Sequence, residues 1–200
     1  MTTLQLATSS DVAIPSVEPT DAELMARVVA DDAAAFRQVV LRYEPSIRGH
    51  LRHLVGAEAD DLVQEVFTTL WLERHTYQER GFARAYLFRL ARFRALKHLR
   101  WRKVRSVFAR RDPPSAVASG DDPMTHTLHA ETRRALSTAM TTAMQQLTEE
   151  DRTLVYLRFV EGLSYTEIEA VFGRHNEAAL RQRCRRSLLR LKANLPPEMT

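Results

Sequence analysis

RGFARAYLFRLARFRALKHLRWRKVRSVFARR, residues 80–111, is the stretch on which the reading of the fold turns. It holds twelve Lys or Arg, no Asp or Glu, and six aromatic residues: Phe82, Tyr86, Phe88, Phe93, Trp101 and Phe108. The 200-residue chain has a formal net charge of only +4, so the excess is local and the acids sit elsewhere. The spacing predicts a helix from about Ala83 past Arg100. Over its first half Tyr86, Leu87, Leu90 and Phe93 share one face, and Arg84, Arg89 and Arg92 share the other. From Arg94 onward the faces mix: Arg94, Lys97, Arg100, Arg102 and Lys103 wrap the axis. A helix charged all round packs poorly on its own protein, so this end is expected to project or to lie along something anionic. Cations that take up phosphate charge and rings that stack on bases suit nucleic acid. A solvated, Arg-rich helix fits the same composition.

Upstream, residues 1–19 carry Ser, Thr and Pro with acidic charge only, and read as a disordered lead. Thr20-Asp21-Ala22-Glu23 is a capping box, opening a helix with Leu24, Val28 and Val29 inward. Asp31 or Asp32 caps a second helix with Phe36, Val39, Val40 and Tyr43 at helical spacing. Pro45 suits the first turn of a third, carrying Ile47, Leu51 and Leu54 and ended by Gly56. Residues 58–79 invert the charge, with six acids against Arg74. A helix from about Asp61 to Glu73 has Leu62, Val63, Val66, Phe67, Leu70 and Trp71 as a wide apolar stripe. Asp61, Gln64, Glu65 and Thr68 lie opposite, as a solvated face or as a dock for a basic partner. Residues 74–82 read as a loop.

Downstream, residues 112–123 are Pro-, Ser- and Gly-bearing and read as a flexible linker. A second module, residues 124–195, opens with Leu128, Leu136, Met140, Met144 and Leu147 on one helix. Thr148 caps the next, with Leu154, Val155, Leu157 and Phe159 inward. Ser164-Tyr165-Thr166-Glu167 is another capping box, before Ile168, Val171 and Phe172, and Gly173 is placed to end that helix in the left-handed conformation. Asn176 caps a last helix with Leu180, Cys184, Leu188, Leu191 and Leu195 inward. Residues 174–192 hold seven bases against Glu177. A short helix, a glycine turn and a longer basic helix describe either a DNA-binding helix-turn-helix or a plain helical hairpin, and the one-sided charge favours the first. The chain therefore reads as all-α: an N-terminal helical domain over 20–111 and a C-terminal helix-turn-helix domain over 124–195.

Other chemistries find little support. The single Cys184 excludes an internal disulfide; beside Arg183, Arg185 and Arg186 it could sense oxidants, but its place on the inward stripe suits a small core residue. No apolar run approaches the ~18 residues of a membrane span, and the N-terminus lacks the pattern of a secretory signal, so no membrane insertion is expected. Asp60, Asp61 and Glu65 have spacing ordinary for a helix, and the pairs His50/His53 and His126/His129 need more ligands than the chain supplies nearby. With no Gly-rich phosphate loop and no nucleophile–base pair, neither catalytic residues, nor a metal, nor a cofactor is expected.

Two basic helical modules across a loose linker, with an acidic helix before the first, make a narrower pattern than either module alone. Asp60-Asp61-Leu62-Val63-Gln64-Glu65-Val66-Phe67 and Ala85-Tyr86-Leu87-Phe88-Arg89-Leu90-Ala91-Arg92 resemble segments of bacterial sigma factors of the extracytoplasmic-function group. Leu157-Arg158-Phe159-Val160-Glu161-Gly162-Leu163-Ser164-Tyr165-Thr166-Glu167-Ile168 resembles the start of that group's promoter-reading domain. The resemblance covers about residues 21–103 and 130–193. It implies a cytoplasmic, non-enzymatic factor that binds core RNA polymerase and directs it to promoter DNA; many of the group are also held by an anti-sigma factor. By this resemblance Asp61, Gln64 and Glu65 face the clamp helices of the polymerase. Arg84, Arg89, Arg92, Arg94, Lys97 and Arg100 contact phosphates around the minus-ten element, and the loop before them, through Tyr77 and Phe82, receives an unstacked base. Arg181, Arg183, Arg185 and Arg186 lie in the major groove of the minus-thirty-five element.

Three departures from the group stand out. Phe93 and Lys97 occupy positions where it has Asn and an acidic residue, Glu169 stands where it has a small residue, and the turn from Gly173 to Leu180 is one residue longer. Local hydrogen bonding in the minus-ten reader and the angle of the last helix are expected to differ accordingly. A two-module DNA-binding regulator without polymerase docking uses the same basic helices, and the acidic helix is what separates the two readings.

Overall fold

Thr20 caps the first helix, α1 (Asp21–Val29), as a capping box: its hydroxyl accepts from the Glu23 amide and the Glu23 carboxylate accepts from the Thr20 amide. The structure, a computed structural model, describes residues 18–108, 138–173 and 176–195. Residues 1–17 of the lead expected over 1–19, the linker, Leu128, Leu136 and the His126/His129 pair fall outside the described residues, as do Arg174 and His175 of the lengthened turn. Leu24, Met25 and Val28 are buried on α1. Asp31 takes a positive φ of 66°, which a short polar side chain tolerates, and turns the chain so that Asp32 caps α2 (Ala33–Val55). The Asp32 carboxylate accepts from the Ala34 and Ala35 amides at 2.8 and 3.0 Å.

The expected break at Pro45 does not occur: α2 runs through it as one 23-residue helix. The carbonyl that loses its helical donor is that of Leu41, whose side chain is 72% exposed, so water can satisfy it. Burial of Val39, Tyr43, Ile47, Leu51 and Leu54 along one stripe outweighs the local cost. Gly56, at φ 74°, ends the helix.

A 3-10 turn, Gly56–Glu58, leads into α3 (Ala59–Leu72), and a second, Arg74–Thr76, into the loop before α4 (Ala83–Phe108). Phe36 of α2 packs on Trp71 of α3, ring centroids 5.0 Å apart, and Arg74 lies over Trp71 at 4.3 Å. On α4 the buried line is Ala83, Ala85, Leu87, Phe88, Ala91 and Ala95. The alanines let α4 sit close to its neighbours on two sides, α2–α3 on one and α7 on the other. Phe93, expected inward, is 59% exposed and lines a cleft of about 550 Å³ between the modules, whereas Phe88 is fully buried.

In the second module helical residues 138–145 form α5, followed by α6 (Glu149–Phe159), α7 (Tyr165–Phe172) and α8 (Glu177–Ala193). The caps match their expectations: Thr148 accepts from the Asp151 amide, Ser164 forms a capping box with Glu167, and Asn176 accepts from the Ala179 amide. Gly173 ends α7 at φ 72°. Ala143, Met144, Leu147, Val155 and Leu191 make a small core of their own. Phe159, expected inward, is 57% exposed, and on α8 Ser187 is buried while Leu188 is 36% exposed. The other face of α6 and α7 leaves its module altogether: Leu154, Tyr156, Leu157, Ile168, Val171 and Phe172 join the same buried cluster as α1–α4. Among the described residues there is no strand, and no helix is long and apolar enough to cross a membrane.

Candidate nucleic-acid interface

Three surfaces carry the residues singled out in the sequence. The first is the outer face of α3. Asp61, Gln64, Glu65 and Thr68 are all exposed there, because Leu62, Val63, Val66, Phe67 and Leu70 fill the opposite side. Asp60 is turned away, into an ion pair with Arg48, which also holds Glu44. Glu65 stands 3.6 Å from Arg94.

The second is α4 with the loop before it. Arg89, Lys97 and Arg100 are exposed. Arg94 is not: its guanidinium donates to the Thr69 hydroxyl and pairs with Glu65, tying α4 to α3. His98 and Arg102 reach Glu58 at 3.2 and 3.3 Å, so the cationic end expected to project is partly anchored. Trp101 and Val104 are exposed beside them. Arg84 and Arg92 point at the second module. Arg84 donates to the Glu161 carbonyl and carboxylate, both at 2.7 Å, and the Glu161 side chain is only 7% exposed. Arg92 pairs with Glu150 at 3.2 Å and lies over the Phe172 ring.

The loop forms a cleft of about 430 Å³ whose lining includes Tyr77, Arg80, Phe82, Tyr86 and Arg89. Tyr77 and Tyr86 meet edge to face at 4.9 Å, and Arg89 lies over the Tyr86 ring at 5.2 Å. The Tyr77 hydroxyl donates to Glu79 at 2.8 Å; burial first, and then this bond, push its pKa upward, so it remains a neutral donor. Rings and guanidinium groups around an open cleft are what a splayed base needs.

The third is α8. Arg181, Arg185 and Arg186 are exposed on it. Arg181 is held over Tyr165 at 5.1 Å and pairs with Glu177 at 3.0 Å. Arg183 points the other way, donating to Asp151 at 2.6 Å and pairing with Glu150. Burial works against ionisation of Asp151, but hydrogen bonds from Arg183 and Thr148 outweigh it and lower its pKa. Cys184 is buried beneath this face.

From the sequence, Glu150, Asp151 and Glu161 are assigned no pairing role. Asp151 had a local signal, three residues after the Thr148 cap and accepting from its hydroxyl at 2.9 Å. Glu161 had none, since its partner lies 77 residues away. His50, weighed in the sequence only as half of a metal-ligand pair, is fully buried on α2 with neither ring nitrogen hydrogen-bonded within the protein. Its ring packs against Phe88 of α4 at 5.7 Å and Tyr156 of α6 at 5.3 Å.

Comparison with known proteins bears on these surfaces. Residues 39–105 match the family model for Sigma-70 region 2, and residues 137–191 that for Sigma-70 region 4. The RNA polymerase sigma-H factor of Pseudomonas aeruginosa is 31% identical over 163 residues, covering 76% of this chain and 81% of that protein. The extracytoplasmic-function sigma factor SigF of Caulobacter vibrioides is 30% identical over 159 residues, covering 78% and 83%. Among solved structures, CnrH in complex with the cytosolic domain of CnrY has a TM-score of 0.61 at 24% identity, covering 86% of this chain and 95% of that one. RpoE of Bartonella quintana, in complex with the anti-sigma factor NepR, has a TM-score of 0.65 at 20% identity, covering 80% and 95%. Two region matches in the expected order, on the module with the acidic and basic helices and on the helix-turn-helix, agree with likeness to named sigma factors over more than three quarters of the chain: the chain belongs to the sigma-70 family of RNA polymerase sigma factors, in its extracytoplasmic-function group.

Proposed function

We propose that this protein binds core RNA polymerase and directs it to promoters, docking through α3 and reading DNA through α4 and α8. The observation that carries this is the division of labour within one module. The exposed acids of α3 look away from the core on one side, and the cations and rings of α4 and its loop form a cleft on another. Asp61, Gln64 and Glu65 are the docking residues in this reading. Arg89, Lys97 and Arg100 meet phosphates, Tyr77 and Phe82 flank an unstacked base, and Arg181, Arg185 and Arg186 enter the major groove. Arg84 and Arg92 join the first set once released from Glu161 and Glu150. Arg94 and Arg183 hold helices together, and their loss acts on DNA binding through structure. A factor of this kind works in the cytoplasm beside polymerase, and an anti-sigma factor is a further partner of this reading.

Reconstituted transcription on genomic fragments, with start sites mapped, tests it: specific starts are expected only when protein and core polymerase are both present. Reversing charge at Asp61 and Glu65 is expected to abolish co-purification with core polymerase while leaving DNA affinity within about twofold. Loss of DNA binding with retained polymerase binding would contradict the assignment of α3. If the unaltered chain binds promoter fragments but never core polymerase, the protein is a DNA-binding regulator instead.

A further inference from the structure

The cleft of about 550 Å³ between the modules has the make-up of a small-molecule site. Its α4 wall is Arg89, Phe93, Leu96 and Arg100, whose spacings of four, three and four residues put them on one stripe of the helix. The Phe93 ring is 59% exposed there. The opposing apolar wall is Val171 and Phe172, at the end of α7. A planar group entering the slot thus meets a ring from one module and apolar side chains from the other. Arg89 and Arg100 stand at the two ends of the stripe, three helical turns or about 16 Å apart along the axis. The volume lies within the range of about 300–1,000 Å³ usual for sites that take small organic ligands.

Charge in the cleft is unbalanced. Four arginines line it against Glu149 and Glu150. Glu150 is shared by Arg92 and Arg183, and Arg183 also holds Asp151 at 2.6 Å, so this inner cluster is matched. Arg89 and Arg100 are exposed and pair with no carboxylate among the described residues. Two unmatched guanidinium groups beside a low-dielectric wall attract an anion, and their fork suits phosphate oxygens. A bare anion would leave Phe93, Leu96 and the α7 wall in contact with water; a ligand that joins a ring to the anion covers them. Glu149, exposed at the rim where α6 begins, can only accept, from a hydroxyl or an amino group, so it turns the anionic end of a ligand toward α4.

We propose that the cleft binds a small ring-bearing anion of the nucleoside phosphate class. The base lies on Phe93 against Val171 and Phe172, phosphate oxygens accept from Arg89 and Arg100, and a sugar hydroxyl donates to Glu149. The site itself is independent of the DNA reading of α4. Resting on that reading, a ligand held there withdraws Arg89 and Arg100 from the phosphates of a single strand, so the grip of the chain on that strand falls as the nucleotide accumulates.

The test uses the full chain and calorimetric titration with ATP and GTP, with adenosine, guanosine and inorganic triphosphate as partial ligands, all at one ionic strength. At least one nucleotide is expected to bind, one per chain, about tenfold or more tighter than its nucleoside or the triphosphate, since each partial ligand forfeits either the anion or the ring. Phe93→Ala and Arg100→Ala are each expected to weaken that binding by about fivefold or more. Both side chains are exposed, and circular dichroism checks that the helices persist. Spin labels on cysteines introduced at exposed Arg37 and Gln182, since buried Cys184 is out of reach, report whether both walls are used. Their distance distribution is expected to narrow when the nucleotide binds; an unchanged distribution puts the ligand on one module and overturns the site. So does triphosphate that binds as tightly as the nucleotide, which marks a bare cationic patch, and so does nucleotide affinity untouched by Phe93→Ala. If neither ATP nor GTP binds, the proposal falls, and binding of a fluorescent single-stranded oligonucleotide in that case makes the cleft part of the strand's path alone. Displacement of that oligonucleotide by the nucleotide is the expected competition. Nucleotide binding without displacement supports the site and removes Arg89 and Arg100 from the strand-binding set.

Discussion

Acidification is expected to loosen the packing of the second module on the first, through His50. Burial, and then the nearby positive charge of His53 and Arg92, push its pKa down to about 3. Exposed, an imidazole titrates near 6.5. The packed state thus binds fewer protons than the parted or unfolded state at any pH between these values. Stability from this group is complete above about pH 6.5 and is lost as pH falls, by about 1.4 kcal/mol per unit, or about 2 kcal/mol at pH 5. That is about a thirtyfold change in the equilibrium between packed and parted states. The surroundings offer the imidazolium no help. His53 and the Arg152 that donates to its carbonyl are cationic or able to become so; Arg92 on α4 is already engaged with Glu150; and Tyr156 on α6 is held neutral by burial and by Glu161. His53 is exposed and shifts in the same direction, so the large swing belongs to His50. Asp151 does not interfere, because its pKa is lowered and its contribution fades only below the ordinary carboxylate range. Urea melts and label distances for the unaltered chain and for His50→Phe, from about pH 8 to about pH 5, make the comparison. The unaltered chain is expected to lose stability and lengthen its label distance as pH falls, and His50→Phe to stay nearly flat. An equal slope in both proteins would refute the role given to His50.

Two further outcomes concern α8. Asp151→Ala leaves Arg183 with Glu150 alone and removes the acceptor for the Thr148 hydroxyl proton; a loss of about 3 kcal/mol is expected in thermal or denaturant unfolding. A loss below about 0.5 kcal/mol would mean that α8 is held by its apolar face alone. Arg185→Ala and Arg186→Ala are each expected to lower the slope of log affinity against log salt for a duplex by about one if they meet phosphates, and to relax sequence preference if they meet base edges. No change in either quantity would remove that residue from the DNA-facing set.

How far the sequence sufficed depended on the range of the interaction. The Thr20, Thr148, Ser164 and Asn176 caps were legible because donor and acceptor lie within three residues of each other. The stripe on α3 was legible because one partner surface covers it, so apolar period and burial coincide. Pro45 misled, since a local rule met a stripe long enough to override it. On α4 the period blurred, because two surfaces cover that helix: Phe88 and the small alanines went inward, and Phe93 was left to line the cleft.

The basic residues show the same limit more sharply. Positive charge on α4 and α8 was plain in the sequence, yet charge alone does not distinguish a cation aimed at phosphate from one already holding a carboxylate. Arg89 and Arg185 are exposed, whereas Arg94 holds α3 and Arg183 holds α6. Arg84 and Arg92 belong to a third kind, engaged by acids of another module. For them the two roles are alternatives in time rather than competing descriptions. A carboxylate that neutralises an arginine while the chain is free also keeps that arginine ordered, and gives it up when a stronger polyanion arrives. Within an all-helical protein of modest net charge, the acids that mask a DNA-binding face are therefore as much a part of the binding equilibrium as the arginines beneath them.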